Sequence, residues 1–150
     1  MKKTAWLLLC LFICISVGSC TKKEGAEEVA IVGKWQVTEW KADHVDQIEM
    51  WRIGDLTAEF RADGSIESKL VYSNGDERIS GGTWKRSKDK LEIHVKGGGE
   101  TEGDEPFERT REFTIDELTA GAFAVRAEIS RAGKPIVLTY KAQRLPAPGE

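Results

Sequence analysis

From Ile31 onward, apolar and polar residues alternate with period two, the repeat of a strand with one buried face. Trp35, Val37 and Glu39 fall on one face, against Lys34, Gln36 and Thr38 on the other. The same alternation groups Leu56, Ala58 and Phe60, then Ile66, Ser68, Leu70 and Tyr72, then Leu91, Ile93 and Val95. Polar turns separate these runs. Ala62-Asp63-Gly64-Ser65 supplies a glycine for positive φ, Asn74-Gly75 is a strong hairpin signal, and Ser87-Lys88-Asp89-Lys90 and Arg131-Ala132-Gly133-Lys134 close two more turns. The pattern predicts eight strands, near 32–41, 56–61, 66–73, 77–86, 91–96, 107–115, 118–130 and 135–144. Such regular spacing reads as an antiparallel meander. Strands of this length expose long edges unless the sheet closes or folds into a sandwich. The expected fold is all-β: an eight-stranded antiparallel up-and-down barrel whose core holds side chains or one small ligand.

Asp43 to Ile53 interrupts the alternation, with Val45, Ile48, Met50, Trp51 and Ile53 at mixed spacing. The segment predicts one short helix capped by Asp43, or a lid that lays Trp51 across one end of the barrel.

The amino terminus follows different rules. Met1-Lys2-Lys3-Thr4 precedes an apolar stretch from Ala5 to Val17, then Gly18-Ser19-Cys20, the layout of a secretory leader. The stretch is shorter than the roughly 20 apolar residues that span a bilayer. Val17-Gly18-Ser19-Cys20 resembles the bacterial lipobox. That resemblance implies cleavage before Cys20 and fatty acylation, palmitate included, of its thiol and new α-amino group. Cys10 and Cys14 would leave with the leader, so Cys20 would remain without an internal disulfide partner. Thr21 to Ala30 reads as a polar, disordered tether reaching at most about 35 Å. The expected organisation is a signal peptide over 1–19, a lipid-anchored tether over 20–30, a barrel domain over 31–144 and a disordered tail over 145–150. The expected location is the cell envelope. Thr21 where an inner-membrane retention signal would have Asp resembles the pattern of outer-membrane sorting.

The 150 residues, 40% hydrophobic and 31% charged, suit one globular domain. Losing Lys2 and Lys3 with the leader takes the net charge from −3 to −5. This argues against a nucleic-acid partner, which needs a basic face to displace phosphate counterions, and against polybasic docking on anionic lipid. Membrane attachment through acylated Cys20 would therefore rest on the acyl chains.

Ile31-Val32-Gly33-Lys34-Trp35 resembles the Gly-x-Trp motif that opens lipocalins. Phe60-x-x-Asp63-Gly64, Gly82-Thr83-Trp84 and Leu91-Glu92-Ile93 resemble the lipocalin-like domains of Bacteroidetes-type lipoproteins. The resemblance covers roughly residues 31 to 144 and implies an eight-stranded barrel that often takes a small hydrophobic ligand. It also implies that Trp35 packs at the closed end beneath a late arginine, for which Arg144 is the candidate. This chain lacks the lipocalin disulfide and shows no long helix after its last strand.

Strand 107–115 carries the most unusual chemistry. Phe107, Arg109, Arg111, Phe113 and Ile115 share a face by alternation. If that face is internal, two guanidinium groups enter the barrel and need an anionic partner, such as a fatty-acid head group. If a bulge turns them outward, or they form cross-strand ion pairs, they are ordinary surface groups. Most sheet arginines are solvated, so the sequence alone ranks the outward readings first.

His44 with Asp43, Asp46 and Glu49 is short of the three or four His- or Cys-rich ligands of a zinc site. His94 alternates with Ile93 and Val95 and is expected in solvent. The acidic loop 97–105 matches no EF-hand. No Gly-x-Ser-x-Gly elbow occurs. Neither catalysis, metal nor cofactor is expected. Trp35 and Trp84 are expected in the core. Trp40 and Trp51 either plug one barrel end, which is favoured, or meet a ligand or partner. The expected site is one barrel mouth lined by Trp40, Trp51, Tyr72, Arg109 and Arg111, taking a small hydrophobic or anionic ligand. The alternative is a filled barrel that acts as an accessory module of an envelope complex.

Overall fold

A computed structural model describes residues 30–98, 105–147 and 149. The leader, Cys20, the tether and most of the acidic loop lie outside the described residues. The strands are β1 (Gly33–Ala42), β2 (Val45–Asp46), β3 (Ile53–Phe60), β4 (Ser65–Tyr72), β5 (Glu77–Ser87), β6 (Lys90–Gly97), β7 (Phe107–Leu118), β8 (Ala122–Arg131) and β9 (Lys134–Arg144). Apart from the two-residue β2, these are the eight expected strands. Each pairs antiparallel with its successor, and β1 returns to β9 from Trp35–Arg144 to Ala42–Leu138. The sheet is thus a closed eight-stranded barrel.

Three boundaries differ from the alternation pattern, and register shifts cause two of them. β3 begins at Ile53, and its pairing with β4 shifts between Ile53 and Asp55. β7 continues through a shift between Ile115 and Glu117 as far as Leu118, and the turn to β8 follows there. The insertion after β1 forms a four-residue helix, α1 (Gln47–Met50), capped by Asp46 instead of Asp43. Asp46 Oδ1 accepts from the backbone N–H groups of Ile48 at 2.9 Å and Glu49 at 3.2 Å. Asp43 instead takes positive φ (52°) and accepts from the Val137 N–H at 2.8 Å, which ties the insertion to β9.

Burial concentrates in one half of the barrel. Trp35 and Leu91 are fully buried, as is Ile31, two residues before β1; Phe60, Trp84 and Phe123 pack with them. The Trp35 and Phe123 rings lie 5.5 Å apart, and Phe60 meets Trp84 edge-on at 5.7 Å. Arg144 seals this end. Its guanidinium carbon stands 4.2 Å from the Trp35 ring centre. Its nitrogens donate to the carbonyls of Ala120 (2.6 Å), Val32 (2.7 Å) and Ala30. Gly33 at φ 138° leaves room, because a Cβ there would collide with an Arg144 guanidinium nitrogen. The seal therefore uses three positions that chain alternation treats separately.

Arg144→Leu keeps the stem but removes the cation and its donors. The expected loss is about 2–4 kcal/mol in denaturant unfolding. Gly33→Ala should also destabilise, through collision with the same guanidinium. An unchanged denaturation midpoint for Arg144→Leu would show that the seal contributes nothing.

Candidate functional site: the open end of the barrel

The strand ends opposite the Arg144 seal surround a cavity of about 730 Å³. A β-bulge decides one of its walls. The β1–β9 register shifts between Val37 and Glu39, so one residue drops out of the alternation. Unbroken alternation would put Glu39 with Trp35 and Val37 inside. The shift instead sends Glu39 outward, where Lys41 Nζ (2.8 Å) and Lys141 Nζ (3.1 Å) meet its carboxylate. Those two lysines, Lys41 first, hold the Glu39 carboxyl below its usual range. Trp40 then lies on the cavity wall and stacks on Tyr140 at 5.6 Å. Its indole N–H is buried without a hydrogen-bond partner. An unmet buried donor costs about 1–3 kcal/mol.

The opposite wall carries the arginines. β6 and β7 pair without interruption from Lys90–Thr114 to Gly97–Phe107. No bulge intervenes, so Arg111 sits beside Ile93 and Arg109 beside Val95, on the face of buried Leu91 and Phe113. Both arginines line the cavity. This corrects the outward orientation that the sequence ranked first: the alternation holds along this strand and carries the charge inside. Arg109 extends to the mouth, its guanidinium carbon 5.9 Å from the Phe107 ring centre. Arg111 is half-buried next to the Tyr140 hydroxyl. Burial lowers its pKa first and the charge of Arg109 lowers it further, while Tyr140 opposes both. A guanidinium nevertheless keeps its charge in a protein. Burial raises the Tyr140 pKa, so the phenol stays neutral at ordinary pH.

Trp40, Trp51, Tyr72, Arg109 and Arg111 therefore border one cavity, together with Arg78 and Arg131, which the sequence analysis did not single out. Leu70 is paired with Arg78 on the adjacent strands, so the period-two pattern that placed Leu70 could have placed Arg78 as well. Arg131 continues the inward series of Phe123, Val125, Ala127 and Ile129 at the end of β8, one residue past the strand as the sequence bounded it. Among the described residues, the lining holds four arginines and no Asp or Glu. Apolar walls come from Ile53, Leu70, Phe107, Ile129, Ile136 and Leu138.

Trp51 does not plug the end. It is 54% exposed, at the rim. Its indole N–H donates to Gln47 Oε1 at 3.2 Å, and the Gln47 amide donates to the Val45 carbonyl at 3.1 Å. Gln47 is itself buried between the insertion and the barrel and anchors the rim indole. The insertion occupies the place where β1 leaves β3, since those strands pair only from Gly33–Phe60 to Gln36–Thr57. Gln36 continues the bridge by its side chain, donating to Asp55 Oδ1 at 2.7 Å and the Leu56 carbonyl at 3.2 Å. His94 lies on the outer face, with Nε2 3.0 Å from Glu108 and Nδ1 2.8 Å from the Thr110 hydroxyl. Among the described residues no three His, Cys, Asp or Glu side chains gather as metal ligands.

The profile of the lipocalin-like domain family matches residues 31–123, more than half of the chain. The chain belongs to that family. A lipocalin-like protein from Bacteroides uniformis superposes with a TM-score of 0.51 at 14% identity, covering 77% of this chain and 99% of that one. An uncharacterized protein from Bacteroides eggerthii gives 0.47 at 18% identity, over 76% and 98% of the two chains. A redesigned β-barrel gives 0.49 at 14% identity, over 80% and 96%. At these identities the likeness concerns the fold. None of the proteins of curated function matches the chain. Within this lipocalin-like barrel, Trp35 and Arg144 form the closed end and the arginine-lined cavity forms the other.

Two internal arginines with no acidic neighbour among the described lining residues cost stability in the empty protein. Replacing one by a residue that packs should recover it. Arg111→Leu is expected to raise the denaturation midpoint, by about 1 kcal/mol in unfolding free energy. A fall of similar size would mean that Arg111 is held by interactions that stabilise the unliganded barrel.

Proposed function

We propose that the barrel binds a small amphiphile with an acidic head group, without chemical change, on the outside of a membrane to which acylated Cys20 tethers it. The observation that carries this reading is that Arg109 and Arg111 share one cavity lining with apolar walls, with no carboxylate among the described lining residues. Ligand cavities run from about 300 to 1,000 Å³, with mostly apolar walls and a few polar groups that fix orientation. In such a site the walls bury the ligand's tail. Arg109 and Arg111 neutralise its head, and the anion relieves the repulsion between the two guanidinium groups. The Trp40 indole N–H gains an acceptor if the head reaches it.

Titration with cis-parinaric acid, whose fluorescence rises in apolar surroundings, tests this. Saturable one-to-one binding is expected. Arg111→Gln should weaken it about tenfold, the loss of a charge-assisted contact of roughly 1.5 kcal/mol. A long-chain alcohol should fail to displace the probe where the matching fatty acid succeeds. Binding should stay level from about pH 6 to 9, because burial raises the Tyr140 pKa and the phenol keeps its proton there. It should weaken below about pH 5, as the ligand carboxylate takes up a proton. Equal affinity for alcohol and acid would contradict the proposal.

The envelope tether has its own test. Mass spectrometry of the amino-terminal peptide from the native host should find fatty-acyl mass on Cys20, and Cys20→Ser should release the protein from membranes. A free thiol at that position, or unchanged membrane retention of the variant, would remove the anchor from the proposal.

A second reading rests on Val45, Met50 and Trp51, which stand 48–54% exposed on the insertion. Exposed apolar groups of this kind suit contact with an envelope protein. In that case Val45→Ser with Met50→Ser, neither of which borders the cavity, would leave cis-parinaric acid binding intact and abolish co-purification with the partner.

A further inference from the structure

The barrel wall is incomplete on one side. β7 and β8 pair only from Thr114–Arg126 to Leu118–Phe123. Toward the mouth both strands continue, β7 back to Phe107 and β8 on to Arg131, without pairing to each other. Their outer neighbours stay fully paired along the same stretches, β7 with β6 as far as Phe107 and β8 with β9 as far as Arg131. The gap is therefore a slot in an otherwise continuous sheet, running from the mouth down to the level of Phe113 and Ala127. The other short pairing, between β1 and β3, is occupied by the insertion and bridged by Gln36.

A second cleft, of about 830 Å³, lies along this slot. Thr110, Glu112 and Thr114 alternate with inward-facing Arg111 and Phe113, so they belong to the outer face. Arg111, Ala127 and Ile129 belong to the inner face, yet they border the same cleft. Arg111 and Ile129 border the internal cavity as well, and thus border both spaces at the level where β7 and β8 are unpaired. Beside it, Lys90 is paired with Glu112 at 3.3 Å and Arg126 with Asp116 at 3.5 Å. Continued in register, β7 and β8 would bring Glu112 opposite Glu128, and like charges directly opposite disfavour pairing.

We propose that this slot is a side door of the cup, through which an acidic amphiphile enters and leaves, its head group passing Arg111. The inference rests on the ligand-binding reading and adds the route. The half-buried guanidinium stands where the wall is open, so a charged head can cross at the one level where a cation faces both spaces. The tail then slides between strand edges into the apolar cavity, without crossing the rim where Trp51 and the insertion stand.

The test uses the full chain with Cys10, Cys14 and Cys20 replaced by serine and Glu112→Cys and Glu128→Cys introduced. A short bis-maleimide joins the two thiols across the slot, and the same chain capped with N-ethylmaleimide is the control. Stopped-flow mixing with cis-parinaric acid should show association and dissociation both slowed by roughly tenfold or more in the joined chain. Unchanged rates would place all traffic at the mouth and overturn the side door. Hydrogen exchange of the unaltered chain provides a measurement that needs no ligand. In 107–113 and 127–131, amides directed at the slot should exchange quickly, while those directed at β6 and β9 stay protected. Uniform protection would mean that the slot is shut in solution, and protection that rises with protein concentration would mean that a second copy fills it. Either result overturns the proposal. If cis-parinaric acid fails to bind the control while exchange shows the open slot, the ligand reading fails and the opening stands.

Discussion

The barrel depends on how Arg144 closes it. The last residue of β9 donates to carbonyls on either side of the junction with β1 and covers the ring of Trp35. One side chain thus fixes the register of the closing strand pair, satisfies backbone acceptors where the chain enters the barrel, and caps the packed half. Gly33 permits the approach and Trp35 supplies the surface. Because the aromatic and aliphatic bulk gathers beneath this seal, the other half of the barrel need not be filled for the fold to hold. Stability comes from one end, and the opposite end is free to carry groups that a packed core would exclude.

Those groups are cations. A guanidinium on an inner barrel wall costs desolvation, and a second one beside it adds repulsion. Such an arrangement opposes stability in the empty protein and favours whatever anion occupies the space. The same economy appears at Trp40, whose indole N–H is buried without an acceptor. Outward carboxylates show the reverse treatment. Glu39 is paired with two lysines, and Arg61 spans Glu59 and Glu67 at 3.2 and 3.4 Å. These acids lie where partners satisfy them, while among the described residues the charged side chains on the cavity lining are arginines. That segregation distinguishes a site from an accident of surface composition.

Much of this was legible in the chain. Period-two alternation located every barrel strand, because each has one wet face and one dry one. It also placed Tyr72, Arg109 and Arg111 on inner positions, although the usual solvation of arginine argued the other way for the last two. What alternation could not show were its own interruptions. The bulge between Val37 and Glu39 exchanges Glu39 for Trp40 on the inner wall, and nothing in Thr38 or Glu39 announces it. The cap of α1 was misassigned to Asp43 because two aspartates precede the helix, and Asp43 is instead engaged by the Val137 N–H of β9. Arg131 shares the inward parity of Ile129 and was missed because the expected strand stopped one residue short of it. The slot between β7 and β8 was likewise hidden, since pairing is a property of two strands and the sequence displays each one alone. The family match over residues 31–123 spans the short motifs at Gly33–Trp35, Phe60–Gly64, Gly82–Trp84 and Leu91–Ile93.

The central claim is that the cavity exists to hold an acidic amphiphile. Native mass spectrometry of the protein taken gently from its own host addresses this most directly. The expected spectrum shows the protein with an additional non-covalent mass that fragments as an anionic, acyl-bearing molecule, and loses that mass when both Arg109 and Arg111 are replaced by glutamine. A spectrum of the bare protein, or a bound molecule that is neutral and indifferent to those two replacements, would contradict the claim.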